Sequence, residues 1–378
     1  MRTESWASFI FLLLVISHPG DVLAQTGNQV PDEVMKEIYE EVKTPYKYGL
    51  VVVPPDDSKT ADCPSVFRKK GKWYMTYIVF DGRGYETRLA SSKDLINWKT
   101  LGRIMSFSKD STDWDANQKA GYISLNDYKW GGKNKMRKFK KRYWMSYLGG
   151  NLKGFETLPL SIGIAFTEGK NTTGHEWDRL DNPVLSSKDS DVRWWEKITL
   201  YKSDVIWDKK KRLGAPFVMF YNANGEKDNI NRGTERIGMA LSDDMINWKR
   251  FGSEPILDHH KGITGDPQIQ KIGNVWVMFY FGAFWPVGKP DGAFDNFACS
   301  YDLKNWTDWT GHRLIVPSEP FDDQYAHKPY VIKYKGIVYH FYVAVNKKDQ
   351  RGIAVATSKD IGKSEKSFNN STGSDNSK

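Results

Sequence analysis

The feature that most constrains the fold is a short strand motif that recurs five times along the 378-residue chain. The motif has the form aromatic-x-Met-x-Tyr, and His replaces Met in the last copy. Its copies are Lys72–Tyr77, Arg142–Tyr147, Pro216–Tyr221, Val275–Tyr280 and Ile337–Tyr342. They are spaced by about 60 to 75 residues, the length of a four-stranded propeller blade with long loops. Large side chains on both faces of such a strand favour packing between sheets.

Two further elements accompany most copies of the motif. A short β-branched strand precedes each copy and is joined to it by a polar turn, which indicates a hairpin. A strand of small residues follows, with an Asp-centred turn and a closing Trp, as in LASSKDLINW at Leu89–Trp98. Related sequences begin at Ala240, Ala298 and Ala354, and a degenerate one begins at Ala165. The pattern predicts an all-β fold, a five-bladed β-propeller, over residues 48–360.

The two ends of the chain differ from the repeats. Residues 1–24 contain the apolar run Phe9–Ile16 and small residues before Gln25, which predicts a cleaved signal peptide and a secreted or periplasmic protein. The run is too short to span a bilayer, so we expect no stable membrane anchor. Residues 25–47 are predicted to form an N-terminal arm with a short helix at about Asp32–Lys43. The polar segment 361–378 is predicted to be disordered.

Charge and cysteine content exclude several classes of function. The net charge is +9, but the basic residues are scattered through turns and no nucleic-acid motif is present, so we expect no nucleic-acid partner. Cys63 and Cys299 are the only cysteines, which excludes a disulfide scaffold. No zinc or EF-hand spacing occurs. We therefore expect no required cofactor, although a structural calcium or other ion on the propeller axis stays open.

With these motifs in place, the chain resembles the five-bladed propeller glycoside hydrolases of families 43, 32, 68, 117 and 130. The resemblance rests on the SxDxxNW closure, the Asp-x-Pro strand entry and the five repeats, and it covers roughly residues 48–359. The Asp-Cys-Pro at Asp62 and the Ala-His-Lys-Pro at Ala326 look most like family 43 and its relative family 117. The resemblance implies an inverting glycosidase, exo- or endo-acting on polysaccharides, with its acids where the inner strands begin.

Inverting hydrolysis needs a carboxylate that activates water and a proton donor for the leaving oxygen. By resemblance, Asp62 takes the place of the catalytic base, and Asp266, directly before Pro267, that of a second funnel acid. His327 lies two residues before Pro329, in the register of Asp62, and is the third candidate. It matches either a His near the axis in family 43 or an acid in family 117.

The proton donor is the open assignment. Family 43 places a Glu in a Glu-Gly-Pro strand start, and this chain has no such tripeptide. Glu196 is the nearest substitute, because the flanking Trp194 and Trp195 are expected to raise its pKa. The alternative, patterned on family 117, uses Asp62, Asp266 and His327 without a Glu, and is slightly favoured.

Sugar contacts are predicted from loop position and from aromatic character, because the apolar faces of sugar rings pack on aromatic side chains. The candidates for substrate binding are Arg83, Trp114, Gln118, Lys119, Trp195, Tyr201 and Trp285. Inward-facing Lys119, Lys202 and Lys328 would favour an anionic sugar.

The sequence supports a secreted, exo-acting, inverting hydrolase of arabinosyl, xylosyl or anhydro-galactosyl linkages in plant or algal oligomers. A non-catalytic carbohydrate-binding propeller and a phosphorolytic relative of family 130 are the alternatives. A homodimer formed through the N-terminal arm is also considered.

Overall fold

The computed structural model describes residues 29–56, 58–169, 177–227, 233–285 and 292–369. The predicted signal peptide, residues 1–24, lies outside them. Within these ranges the chain is nearly all-β, with one α-helix, α1, at Asp32–Val42, where the sequence predicts a helix. A single turn of 3-10 helix covers Trp194–Glu196. No described helix combines the length and the apolar character that a membrane span requires.

The strands form one four-stranded and two eight-stranded sheets. Each eight-stranded sheet consists of two antiparallel groups joined by one parallel residue pair, which gives five antiparallel groups, here called units 1 to 5. Unit 1 contains β2 (Thr60–Lys69), β3 (Lys72–Phe80), β4 (Tyr85–Ser92) and β5 (Trp98–Met105). Unit 2 contains β6 (Gln118–Ile123), β7 (Tyr143–Gly150), β8 (Ser161–Thr167) and β9 (Asp178–Arg179). Unit 3 contains β10 (Thr199–Trp207), β11 (Phe217–Lys227), β12 (Gly233–Ser242) and β13 (Lys249–Phe251).

Unit 4 contains β14 (Ile263–Ile272), β15 (Val275–Ala283), β16 (Phe294–Ser300) and β17 (Thr307–Asp308). Unit 5 contains β18 (Tyr325–Tyr334), β19 (Ile337–Val345) and β20 (Arg351–Thr357), and β1 (Tyr46–Val52) pairs with β20 as its fourth strand. The two ends of the chain thus share one sheet. The five aromatic motifs all fall on the second strand of a unit.

The Asp-centred turn is a hydrogen-bonded device that repeats with the same contacts. In unit 1, Ser92 Oγ accepts from the backbone of Asp94 and Leu95, and Asp94 Oδ1 accepts from Asn97 N at 2.8 Å. The indole of Trp98 donates to Leu95 O at 2.9 Å. The turns at Ser242 and Ser300 repeat this pattern. The predicted closing role of these Trp residues is confirmed.

The first and last described segments of the chain both pack onto the units. Residues 361–369 belong to the segment expected to be disordered, but Ser364 N donates to Tyr48 O at 2.7 Å and Phe368 is buried. The aromatic side chain of Phe368 packs in the core and so holds this part of the tail against the units. The apolar side of α1 packs against units 4 and 5 of its own chain, with Tyr39 stacked on Trp309 at 5.1 Å. A dimer formed through this arm would therefore require α1 to leave its own units.

Candidate active site

A cavity of about 240 Å³ lies where the first strands of units 3, 4 and 5 begin. Beneath it, a void of about 20 Å³ reaches the start of unit 1, and Asp266 and Lys328 line both spaces. The register of the first two strands shifts in four units, between Asp62 and Ser65 in unit 1 and at the matching positions of units 3, 4 and 5. Such bulges re-aim side chains.

In three units the bulge places a non-glycine residue with positive φ directly before a proline. These residues are Cys63, Asp266 and Lys328, with φ of 47°, 54° and 63°. Left-handed backbone is costly for a residue with a Cβ, and such strain is concentrated at functional sites. The three strand starts therefore deliver a thiol, a carboxylate and an ammonium group to one place.

The floor of the site is an ion-paired group centred on Asp62. Lys328 Nζ lies 3.1 Å from Asp62 Oδ1, and the Arg351 guanidinium lies 3.8 Å from Asp62 Oδ2. Burial alone would raise the pKa of Asp62, but these two cations hold it well below its usual range. Burial disfavours the Lys328 cation, yet Asp62 raises the pKa of that ammonium above its usual value. Asp62 is therefore ionised at neutral pH and paired with two cations.

The second floor carboxylate, Asp266, is connected to Asp62 through a thiol. Cys63 Sγ lies 3.0 Å from Asp62 Oδ1 and 3.6 Å from Asp266 Oδ2. The ammonium of Lys202, which is buried, lies 3.7 Å from Asp266 Oδ2 and has no hydrogen-bond partner among the described residues. The predicted triad therefore lies around these two spaces: Asp62 lines the void, His327 lines the cavity, and Asp266 lines both.

A ring of five residues, one at or near the start of the third strand of each unit, was not predicted from the sequence. Each of its members lies five residues before an alanine of the small-residue strand. The ring consists of Tyr85, Leu160, Glu235, Ala293 and Arg351. Four of them line the two spaces, and Leu160 packs in the same cluster as Tyr85. Aligning the repeats on that alanine, rather than on the Asp-x-Pro entry, would have found this ring.

Glu235 is the member of this ring with the chemistry of a proton donor. Its Oε2 accepts a hydrogen bond of 2.6 Å from Asn222 Nδ2, and Asn222 Oδ1 in turn accepts from the backbone N–H of Asp266. Burial, followed by the negative charge of Glu156, raises the pKa of Glu235 to about 8. The Glu235 carboxyl is therefore protonated at neutral pH.

Glu156 is a partly exposed carboxylate of the cavity. It lies in the loop between β7 and β8, with a φ of 46°, and about a third of its side chain is exposed. Its Oε1 lies 3.6 Å from Lys328 Nζ, so one ammonium group bridges Glu156 and Asp62. No repeat motif marks this residue, because it lies in the connection between the aromatic strand and the small-residue strand and belongs to neither.

His327 lines the cavity as predicted, but its contacts fix it in one state. Its Nδ1 lies 3.2 Å from Val343 O, and a carbonyl can only accept, so Nδ1 carries the proton. Burial, then the positive charge of Lys328, lowers the pKa of His327 to about 3. The neutral ring keeps Nε2 as an acceptor. It is suited to receive a sugar hydroxyl proton rather than to donate to a leaving group.

Glu196, the substitute donor, is not brought to the cavity. Its carboxylate lies fully buried within unit 3, where it accepts from Tyr221 Oη and from the guanidinium of Arg250. The neighbouring Trp195 stacks on Tyr221 at 5.7 Å. Trp195 therefore packs beside a structural ion-pair cluster, and Trp194 is exposed and donates to Glu254, so the two do not provide an apolar site for a donor.

The predicted sugar contacts divide into two groups. Tyr201 and Trp285 line the cavity. The other five make contacts elsewhere. Arg83 donates to Asn117, Gln118 donates to loop carbonyls, and Lys119 is buried beside Asp115 and Ser108. Trp114 stacks on Tyr147, and Trp195 lies in unit 3. None of these five side chains lines the cavity or the void.

Among the residues that the structure describes, no group of three or more His, Cys, Asp or Glu side chains is arranged to hold a metal ion. The floor carboxylates are instead neutralised by Lys328, Arg351 and Lys202.

Comparisons with known proteins gave matches among solved structures. No protein-family model matches the chain, and no curated protein matches it. A structure described as "Glycoside hydrolase" is 52% identical, covers 90% of this chain and 99% of its own, and has a TM-score of 0.86. A complex of BT0996 with RGII matches with the same values. Zg3597, a family 117 glycoside hydrolase from Zobellia galactanivorans, is 13% identical, with a TM-score of 0.58 over 84% of this chain and 90% of its own, and shares the fold.

Proposed function

Because the chain belongs to the glycoside hydrolases, we propose that it is a secreted, exo-acting glycosidase built as a five-bladed β-propeller. Each of the five units would be one blade, with β1 closing the fifth. Its substrates would be plant or algal polysaccharide oligomers with arabinosyl, xylosyl or anhydro-galactosyl linkages. Export rests on the apolar run Phe9–Ile16 and the small residues before Gln25.

The observation that carries the proposal is the protonated Glu235 on the cavity wall. Cleavage of a glycosidic bond requires a proton on the leaving oxygen as the bond to the anomeric carbon breaks. A carboxyl group with a pKa of about 8 holds that proton at neutral pH and is close enough to neutrality to release it. Asn222, which bonds Glu235 at 2.6 Å, fixes the direction in which the carboxyl points.

The second carboxylate in the proposed mechanism is Glu156. Asp62 is the base implied by resemblance, but its two oxygens are already engaged by Lys328, Arg351 and Cys63, and it is only 2% exposed. Glu156 lies at the open cavity and remains accessible to a water molecule. Asp62 would then hold Lys328 and Arg351 in place. Resemblance to the inverting families favours water attack with inversion, with Glu156 as the base.

The size and lining of the cavity favour exo action on a single terminal sugar. A volume of about 240 Å³ is smaller than the roughly 300–1,000 Å³ usual for ligand pockets. Phe155, Tyr201 and Trp285 offer aromatic surfaces, while Arg351 and neutral His327 offer a donor and an acceptor for hydroxyl groups. The 52% identical BT0996 is described as a complex with RGII, which makes RGII oligosaccharides the first substrates to assay.

The test is a screen of sugar release from RGII oligosaccharides and from arabinan, xylan, agar, carrageenan, ulvan and pectin oligomers. Proton NMR of the first-formed anomer would report inversion or retention. Glu235→Gln is expected to abolish release. Glu254→Gln, at an exposed residue of unit 3 that bonds Trp194, is the matched control and should stay active. Release that depended on added phosphate would replace hydrolysis by phosphorolysis, and binding without release would replace it by a lectin role.

A further inference from the structure

The loop that carries Glu156, residues 151–158, is short of apolar anchors. It joins β7 to β8 and places Phe155 and Glu156 at the cavity. Leu152, Phe155 and Leu158 on this loop are 44%, 40% and 40% exposed. Phe155 nevertheless packs edge-on against Phe80 and Tyr85, with ring centroids 5.4 and 5.6 Å apart. The backbone around it, on which Glu156 lies, is held by polar contacts.

Those contacts come from two amide side chains at the entry to unit 2. Gln118 Nε2 donates to Leu152 O at 2.9 Å and to Gly154 O at 2.7 Å. Asn117 Nδ2 donates to Asn151 O at 2.7 Å. Gln118 is completely buried, so the donor end of its two bonds is shielded from water, whereas the loop carbonyls that accept them are part-buried. A third contact is the backbone bond from Gly154 N to Arg83 O at 2.8 Å.

We propose that Gln118 is a positioning residue for catalysis, which acts by fixing the loop that presents Glu156. The inference rests on the proposed role of Glu156 at the anomeric carbon. One amide bonds two carbonyls, and the second of them belongs to a residue only two positions before Glu156. Glu156 also has left-handed backbone, a conformation that persists only where its surroundings impose it. Releasing the loop would let Glu156 move away from the reacting carbon.

The first arm of the test replaces Gln118 by Met, which keeps the length of the side chain and removes both donors. Loss of a supporting hydrogen bond commonly costs about 10–100-fold in activity, and a shift of about 1 Å in a reacting group costs about 100-fold. We expect kcat to fall about 10–100-fold. KM should change less than threefold, because Gln118 does not line the cavity.

Asn126→Leu is the matched control. Asn126 also lies in unit 2, and its Nδ2 also makes two hydrogen bonds, to Val66 O and to Tyr330 Oη. In both residues the side-chain oxygen lacks a hydrogen-bond partner within the described ranges. The control variant should lose stability and keep its kcat. Equal kcat losses in both variants at matched folded fractions would overturn the positioning role.

The second arm combines Gln118→Met with Glu156→Gln. If Gln118 acts through Glu156, the double variant should be no slower than Glu156→Gln alone, since residues that act as one unit are not additive. Losses that multiply would overturn the proposal. An active Glu156→Gln would overturn the role proposed for Glu156, whereas an inactive Glu156→Gln beside a fully active Gln118→Met would overturn only the positioning role.

Discussion

Lys328 Nζ lies 3.1 Å from Asp62 Oδ1, so the last unit of the chain is joined to the first by an ion pair on the floor of the cavity. Asp62 is 2% exposed and Lys328 is 8% exposed. The same ammonium reaches Glu156 at 3.6 Å, which ties unit 2 to the pair. The charged side chains at the cavity therefore also connect units 1, 2 and 5.

Asp62→Asn should destabilise the protein as well as inactivate it. The change leaves the buried Lys328 ammonium without its closest carboxylate, and removing one partner of a buried pair costs about 3–5 kcal/mol. Urea unfolding would measure the loss of unfolding free energy. Adding Lys328→Met should restore part of it, because the unpaired charge is then gone. An Asp62→Asn variant as stable as the parent would contradict the pairing.

The ion pair also sets a direction for the effect of pH on stability. The pKa of Asp62 is lower in the folded than in the unfolded protein. Its contribution to stability is therefore complete above the unfolded value, about 4, and is lost as pH falls through the folded value. Chemical unfolding between pH 7 and pH 3 should show a smaller loss of stability in Asp62→Asn than in the parent.

Glu196→Gln should lower the stability of the protein but leave its kcat nearly unchanged. Glu196 is fully buried against Tyr221 and Arg250, and Arg250 keeps Asp189 and Asp191 as partners after the change. We expect a loss of about 1–3 kcal/mol in unfolding free energy. The kcat of the folded variant should stay within about twofold of the parent, since a group outside the cavity touches no reacting atom. A kcat loss of 100-fold at preserved stability would restore Glu196 as a catalytic residue.

His327 should remain neutral throughout the working range of pH. Its pKa of about 3 means that the ring signals in ¹H–¹⁵N NMR should not titrate between pH 5 and pH 8, with His327→Asn used for assignment. The unfolded chain binds a proton at this residue below about 6.5. Stability should therefore fall as pH drops from about 6.5 towards 3. An imidazole that titrated near pH 6.5 would instead support His327 as the proton donor.

The repeat pattern predicted much of the fold, because each unit encodes its own strand pairing locally. The aromatic strand, the Ser–Asp–Asn–Trp turn and the strand entry before Pro64 all lie where the sequence indicates. The same entries brought Asp62, Asp266 and His327 to the cavity and the void, although Asp266 occupies the bulge position of Cys63 and Lys328, one residue after that of Asp62 and His327. The pairing of β1 with β20 was not marked by any motif, because it joins residues far apart in sequence.

Glu235, the proposed proton donor, escaped prediction for a physical reason. The pKa of Glu235 depends on burial and on the negative charge of Glu156, which comes from a different unit. Nothing within the sequence around Glu235 shows either influence. Glu196 looked more suitable because of two adjacent tryptophans, but the partner that decides its role, Arg250, lies 54 residues away in the chain. Local composition therefore pointed to the wrong surroundings.

The most direct test of the account is the pH dependence of kcat/KM for the parent and for Glu235→Gln. If Glu235 is the proton donor, kcat/KM of the parent falls as pH rises through about 8, where the carboxyl loses its proton. Glu235→Gln should lose about 10²–10⁴-fold on a natural oligosaccharide and lack this basic limb. On an aryl glycoside whose leaving group needs no proton, its loss should be much smaller. A variant that kept full activity on the oligosaccharide and the same basic limb would contradict the account.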